Sequence, residues 1–143
     1  MRIPRRLGLL CLVVASWHRS AAPAQLYDES QVLPLCQIMR GKIHGRNQEI
    51  IVSGLLRATF DFVRLQDAEC PRGSLYILGS LAHHGAGWEQ WHDLIVGSMD
   101  KSVPDKTPVT ITGKINSLAT EKGIVWQISL DRVVAINGVA PSR

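Results

Sequence analysis

The chain has 143 residues, a formal net charge of +4 and three cysteines. This length favours a single domain. Removing the four arginines that precede residue 25 leaves 12 of the 16 basic residues against 12 acidic ones, so the rest of the chain has no net charge. Without clustered excess Lys and Arg, a general polyanion-binding surface loses its main support, and nucleic acid is not expected as a partner.

The first 24 residues have the order of a secretory signal peptide. Arg2, Arg5 and Arg6 precede an apolar run from Leu7 to Ala15, and the segment closes on Ala22-Pro23-Ala24. Nine apolar residues are too few for a membrane-spanning helix, so no permanent membrane anchor is expected. The sequence predicts a signal peptide over 1–24, a single domain over 25–143, and an exported protein that is periplasmic or extracellular.

Removal of residues 1–24 on export would remove Cys11 and leave two cysteines, Cys36 and Cys70. An even pair in an oxidising compartment favours a disulfide, and two separate buried thiols are the alternative. Neither cysteine lies in a C-x-x-C or another activating setting, so a catalytic thiol is not expected. The two frame the segment from Gly41 to Leu65, which predicts a strand, a bend and a second strand.

The first half of the chain predicts one helix and three strands. Asp28 or Ser30 would cap the helix and Cys36 would point inwards, while Gly54 would mark a bulge or a sharp bend in the first strand. The predicted elements are a helix over Gln31–Met39, strands over Glu49–Thr59, Phe60–Leu65 and Ser74–Leu78, and a turn over Gln66–Gly73.

The second half predicts a helix and two strands. Apolar residues recur every three or four positions between Trp88 and Met99, as in an amphipathic helix. Alternation then predicts strands, and its phase slips near Asp131-Arg132, as a bulge would produce. The predicted segments are a helix over Trp88–Met99, a polar connection over Asp100–Pro108, strands over Val109–Ile115 and Ile124–Ile136, a loop over Asn116–Gly123, and a loose tail over Asn137–Arg143.

This order predicts a mainly β protein. Five strands with a helix between the third and the fourth, and an extra helix in front, match a five-stranded Greek-key barrel of the OB-fold kind. An α+β sandwich with a similar number of strands is the alternative.

Several short segments resemble a group of small secreted bacterial proteins of unknown function with an OB-like fold. They are Leu35-Cys36, Ile51–Gly54, Leu65–Asp67 before Cys70-Pro71, Val109–Lys114 and Leu130–Val133. The last two are also similar to the closing strands of periplasmic OB-fold proteins. The resemblance covers most of residues 32–136 and implies the fold and export, and it brings no catalytic motif.

One segment, from His83 to Asp93, is dense in side chains that bind metals. His83, His84, Glu89 and His92 are ligand types suited to zinc or copper, and Glu89 and His92 would share a helix face. Their spacing matches no defined metal motif, so solvated surface histidines are the alternative.

Three tryptophans offer rings for stacking a sugar or a base, namely Trp88, Trp91 and Trp126. Helical spacing of the first two, and alternation around the third, equally suit core residues.

Scattered charged residues complete the candidates. Arg57, Arg64 and Lys114 would line the barrel face or form a solvated side. The carboxylates of Asp61, Asp67 and Glu69 suit capping and turns better than acid–base catalysis. No G-x-S-x-G motif and no Gly-rich phosphate loop occurs.

These observations favour an exported, disulfide-stapled binding module without catalytic activity. Its partner would be another protein of the bacterial cell envelope or a small ligand. A metal-binding protein or metal-dependent enzyme that uses His83, His84 and His92 is the alternative.

Overall fold

The computed structural model describes residues 28–41, 47–80, 82, 87–103 and 106–142. A 3-10 turn at Glu29–Gln31 precedes the first strand. The strands are β1 (Val32–Pro34), β2 (Gln48–Ala58), β3 (Val63–Asp67), β4 (Cys70–Leu78), β5 (Thr107–Thr120) and β6 (Gly123–Ile136), and the helices are α1 (Leu35–Met39) and α2 (Trp88–Met99). No helix in these described ranges is long and apolar enough to cross a membrane.

Five strands close into a barrel in the order β2-β3-β4-β6-β5, and β5 pairs back with β2. The β4–β6 pairing is parallel and the other four are antiparallel. Helix α2 connects the third and fourth barrel strands. This topology confirms the predicted OB-fold-like barrel, and α2 has the bounds that the sequence predicts.

The predicted first helix is wrong over its first half. Val32–Pro34 forms β1, which runs parallel to β2, and only Leu35–Met39 is helical. Proline disfavours helical geometry in the residue before it, so Leu33 extends and the helix begins after Pro34. Asp28 does act as a cap, because its carboxylate accepts the Ser30 N–H at 2.9 Å, but it caps the 3-10 turn.

The predicted second strand is displaced, and the predicted third strand ends at Leu78 as expected but begins earlier, at Cys70. The Thr59 Oγ1 accepts N–H groups of both Asp61 and Phe62, and this local bonding makes a turn where a strand was predicted. Strand β3 therefore starts at Val63. The predicted turn over 66–73 shrinks to Ala68-Glu69, because Pro71 and Gly73 lie in β4 beyond a shift in register.

The last two strands form one long hairpin in place of the predicted loop over 116–123. They are joined by a two-residue turn in which Thr120 Oγ1 donates to the Gly123 carbonyl at 2.8 Å. The predicted slip is confirmed, since the register skips Asp131 on β6. Gly113 faces this bulge, where an added Cβ would collide with the Ser129 carbonyl.

A glycine also shapes β2. Gly54 follows the β1 pairing and precedes the β3 pairing on the same edge of the strand. A Cβ there would lie 3.1 Å from the Cβ of Leu65, so glycine lets β3 approach closely. The pairing of β2 shows no register shift here, so the bulge that the sequence allowed is absent from this described strand.

The barrel interior and the undersides of both helices form one core. Its fully buried large side chains are Trp91, Leu35, Ile38, Leu56, Leu65, Leu75, Ile95, Ile111, Ile115, Ile128 and Val52.

The predicted disulfide joins Cys36 of α1 to Cys70 at the start of β4, with 5.6 Å between the two Cα atoms. Cys36 is buried, as predicted. The bond ties α1 to the barrel next to the β3–β4 turn, and it closes a loop that contains β2 and β3.

Candidate ligand-binding face

One row of outward side chains crosses the barrel wall, and we call it the outer row. The register places Arg57 of β2 opposite Arg64 of β3, and Arg64 opposite Tyr76 of β4. Gln127 of β6 and Asn116 of β5 continue the row. Alternate residues of a strand face opposite sides, and the chain neighbours of this row are mostly buried, so the row itself faces outwards.

The centre of the outer row is aromatic. The rings of Phe62 and Tyr76 meet edge to face, with their centroids 5.9 Å apart. The Arg64 guanidinium lies over the Phe62 ring, with Cζ 4.6 Å from its centroid. Such contacts hold a long cationic side chain in one place, so the cluster presents a shaped surface.

A shallow cavity of about 300 Å³ lies beside this cluster. It is lined by Asp61, Phe62, Val63, Tyr76, Ile77, Leu78, Val125 and Gln127. We call the outward surface around Phe62, Tyr76, Leu78 and Gln127 the aromatic face. The carboxylate of Asp61 and the amide of Gln127 lie among apolar side chains in this cavity. Many ligand sites have this composition, in which a few polar groups orient the ligand.

Apolar residues also project from the hairpins at the edges of the aromatic face. Phe60 in the β2–β3 turn is 90% exposed. On the β5–β6 hairpin, Leu118 is 53% and Ile124 is 65% exposed. Large apolar side chains in water next to a cavity are typical of an interaction surface.

The predicted metal ligands are only partly described. His83 and His84 lie outside the described residues, while Glu89 and His92 are exposed on α2. His92 packs against Trp88, with ring centroids 5.8 Å apart. No group of three or more His, Cys, Asp or Glu that would hold a metal ion occurs among the described residues. The metal site stays a prediction.

The three predicted stacking tryptophans do not share a surface. Trp91 is fully buried, and its Nε1 donates to the Ser80 carbonyl at 2.9 Å. Trp88 and Trp126 are half-buried and pack against the core. Trp91 is therefore a core residue, and the rings of the aromatic face belong to Phe62 and Tyr76.

The three predicted basic residues lie at two separate sites on the barrel. Arg57 and Arg64 are adjacent in the outer row, whereas Lys114 lies between Glu49 and Ser129 in another part of the sheet.

The predicted acidic residues also lie at different sites. Asp67 accepts the Glu69 N–H at 2.8 Å and shapes the β3–β4 turn, as the sequence favours. Asp61 lines the cavity instead. Two carboxylates away from the cavity have a lowered pKa. Hydrogen bonds from the side chain and the backbone of Ser30 lower the pKa of Asp28. The same two kinds of hydrogen bond from Ser102 lower the pKa of Asp100.

The sequence does contain a signal for this face. Phe62 and Arg64 are two residues apart, as are Tyr76 and Leu78, and each pair straddles a residue that is buried. Large or aromatic residues on the outward side of a half-buried strand are the feature to look for. Because the second strand was predicted too early in the chain, the sequence did not show that the two pairs lie side by side.

Comparisons with known proteins identify no family, because no protein-family model and no curated protein matches the chain. Among solved structures, a chain of the S. pombe Stn1–Ten1 complex is similar, with 12% sequence identity and a TM-score of 0.43. The match covers 78% of this chain and 81% of that chain.

The prediction that nucleic acid is an unlikely partner does not hold, because the chain forms a barrel of the OB-fold kind and that fold does not exclude such a ligand. Barrels of the OB-fold kind include binders of oligonucleotides as well as of oligosaccharides. The prediction rested on the zero net charge of the chain after residue 24, and a net charge does not describe one surface. Arg57 and Arg64 are adjacent on the barrel although the chain after residue 24 has no net charge.

Proposed function

We propose that the chain is an exported, disulfide-stapled binding module of the bacterial cell envelope that binds its ligand without catalysis. The observation that carries this proposal is the aromatic face, where a cavity adjoins an arginine, two aromatic rings and exposed apolar side chains. Binding through a barrel wall needs no moving part, and a closed barrel holds these groups at fixed positions.

Export is supported by the arginines, the apolar run and the Ala-Pro-Ala close of residues 1–24. We expect a bacterial host that expresses the whole chain to release a processed protein that begins at Gln25. Mass spectrometry of the periplasmic and culture fractions measures this. Val13→Arg interrupts the apolar run and should leave the unprocessed chain in the cell, and processing of that variant would contradict the proposal.

The binding face is tested by mapping amide chemical shifts on titration with trigalacturonate, maltotriose and oligothymidylate. We expect a saturable titration with at least one of these ligands, with shifts confined to residues 59–64, 74–78 and 123–127. Leu78→Ser should weaken this binding by about fivefold, because a half-exposed leucine loses part of its apolar contact.

Val139→Ser is the matched control, because Val139 is 68% exposed and does not line the cavity. We expect it to bind normally. Shifts that cluster away from the aromatic face, or no response to any of the three ligands, would contradict the proposed binding face.

A further inference from the structure

We propose that the aromatic face, together with Arg57 and Arg64, binds an acidic oligosaccharide. This inference rests on the proposed function and names the class of ligand. The arginine pair would take the carboxylate of the sugar, and the adjoining cavity would take a neutral part of the same ligand.

None of the described residues paired with the two arginines in the sheet carries a carboxylate. They face each other across β2 and β3, an arrangement that destabilises a sheet when both residues have the same charge. The neighbours on the same face are neutral; they are Leu55, Thr59, Phe62, Gln66 and Tyr76. A ligand oxyanion would relieve this repulsion.

Arg64 is prepared for such a ligand. Its guanidinium is held over the Phe62 ring, and its Nε is shielded from solvent without a hydrogen-bond partner among the described residues. A ligand carboxylate would bind the guanidinium through two parallel hydrogen bonds at its terminal nitrogens, because the Nε is shielded from solvent. The backbone N–H of Lys106 donates to the carbonyl of Leu56, so the backbone of a third basic residue lies close to Arg57.

The cavity differs in charge from the arginine pair. Its polar groups include the carboxylate of Asp61 and the amide of Gln127, and its apolar lining includes Tyr76 and Leu78. A carboxylate accepts hydrogen bonds from hydroxyls and repels a second anion, while an amide both donates and accepts. A sugar ring offers hydroxyls at its rim and CH groups on its faces. The charges therefore favour a ligand that is anionic at the arginines and neutral at the cavity.

The test is calorimetric titration of the purified protein with trigalacturonate, with maltotriose as the neutral ligand and oligothymidylate as a different polyanion. We expect trigalacturonate to bind most tightly. Arg57→Gln and Arg64→Gln should each weaken it by about tenfold or more, because each removes a charge-assisted contact. Lys114→Gln changes the charge equally at a site outside the outer row, and we expect it to bind normally.

Arg57 is exposed, so its substitution keeps the test valid even if the Arg64 variant fails to fold. If maltotriose bound to the aromatic face as tightly as trigalacturonate, the inference that the ligand is acidic would be wrong, while the proposed binding face would be supported. Tighter binding of oligothymidylate would overturn the sugar class, and absence of trigalacturonate binding would overturn the inference outright.

Discussion

Replacing Trp91 by alanine is expected to lower the free energy of unfolding by about 3–5 kcal/mol, the usual cost of deleting a buried tryptophan. Trp91 lies on the buried side of α2, fully inaccessible to solvent. Its indole fills the space between the helix and the barrel, and its N–H satisfies the Ser80 carbonyl. The substitution removes both the packing and the hydrogen bond. Equilibrium unfolding in urea, followed by circular dichroism, measures the effect.

Two variants separate these contributions. Trp91→Phe keeps an aromatic ring but leaves the Ser80 carbonyl without its donor, and we expect a loss of about 1–3 kcal/mol. Trp88→Ala is the matched control, because Trp88 is only half-buried on the same helix and should cost less than Trp91→Ala. Equal losses for both alanine variants would contradict the assignment of Trp91 to the core.

The barrel was predictable because its strand order and α2 follow from patterns within short segments. The alternation of apolar and polar residues along β6 also predicts the shift in register at Asp131, because one extra residue reverses which side chains point inwards. Helix α2 follows from the spacing of its apolar residues, which is independent of what the helix packs against.

The binding face was not predictable in the same way, because it depends on register between strands distant in sequence. Phe62 and Tyr76 are adjacent only because β3 pairs with β4, and the local bonding at Thr59 moves the start of β3. The sequence drew attention to tryptophans and histidines, whose chemistry is conspicuous. The rings that line the cavity are those of Phe62 and Tyr76, and they lie beside Arg64, which has no conspicuous pattern in the sequence.

Loss of the Cys36–Cys70 disulfide is expected to lower the free energy of unfolding by about 3–4 kcal/mol through the entropy of the unfolded chain. The two cysteines are 34 residues apart, so the bond closes a loop long enough to constrain that ensemble strongly. In a domain of this size the loss corresponds to a fall in Tm of roughly 10–15 °C. Thermal unfolding of the oxidised protein and of the Cys36→Ser/Cys70→Ser variant measures it.

The location of the bond determines what else should change. Cys70 begins β4, the strand that carries Tyr76, while Cys36 anchors α1 beneath the barrel. Because β4 is also held by β3 and β6, we expect the folded variant to keep the face and its ligand affinity and to lose only stability. The same Tm for the variant and the oxidised protein would contradict a stapling role. Weaker ligand binding by the folded variant would instead mean that the bond positions the aromatic face directly.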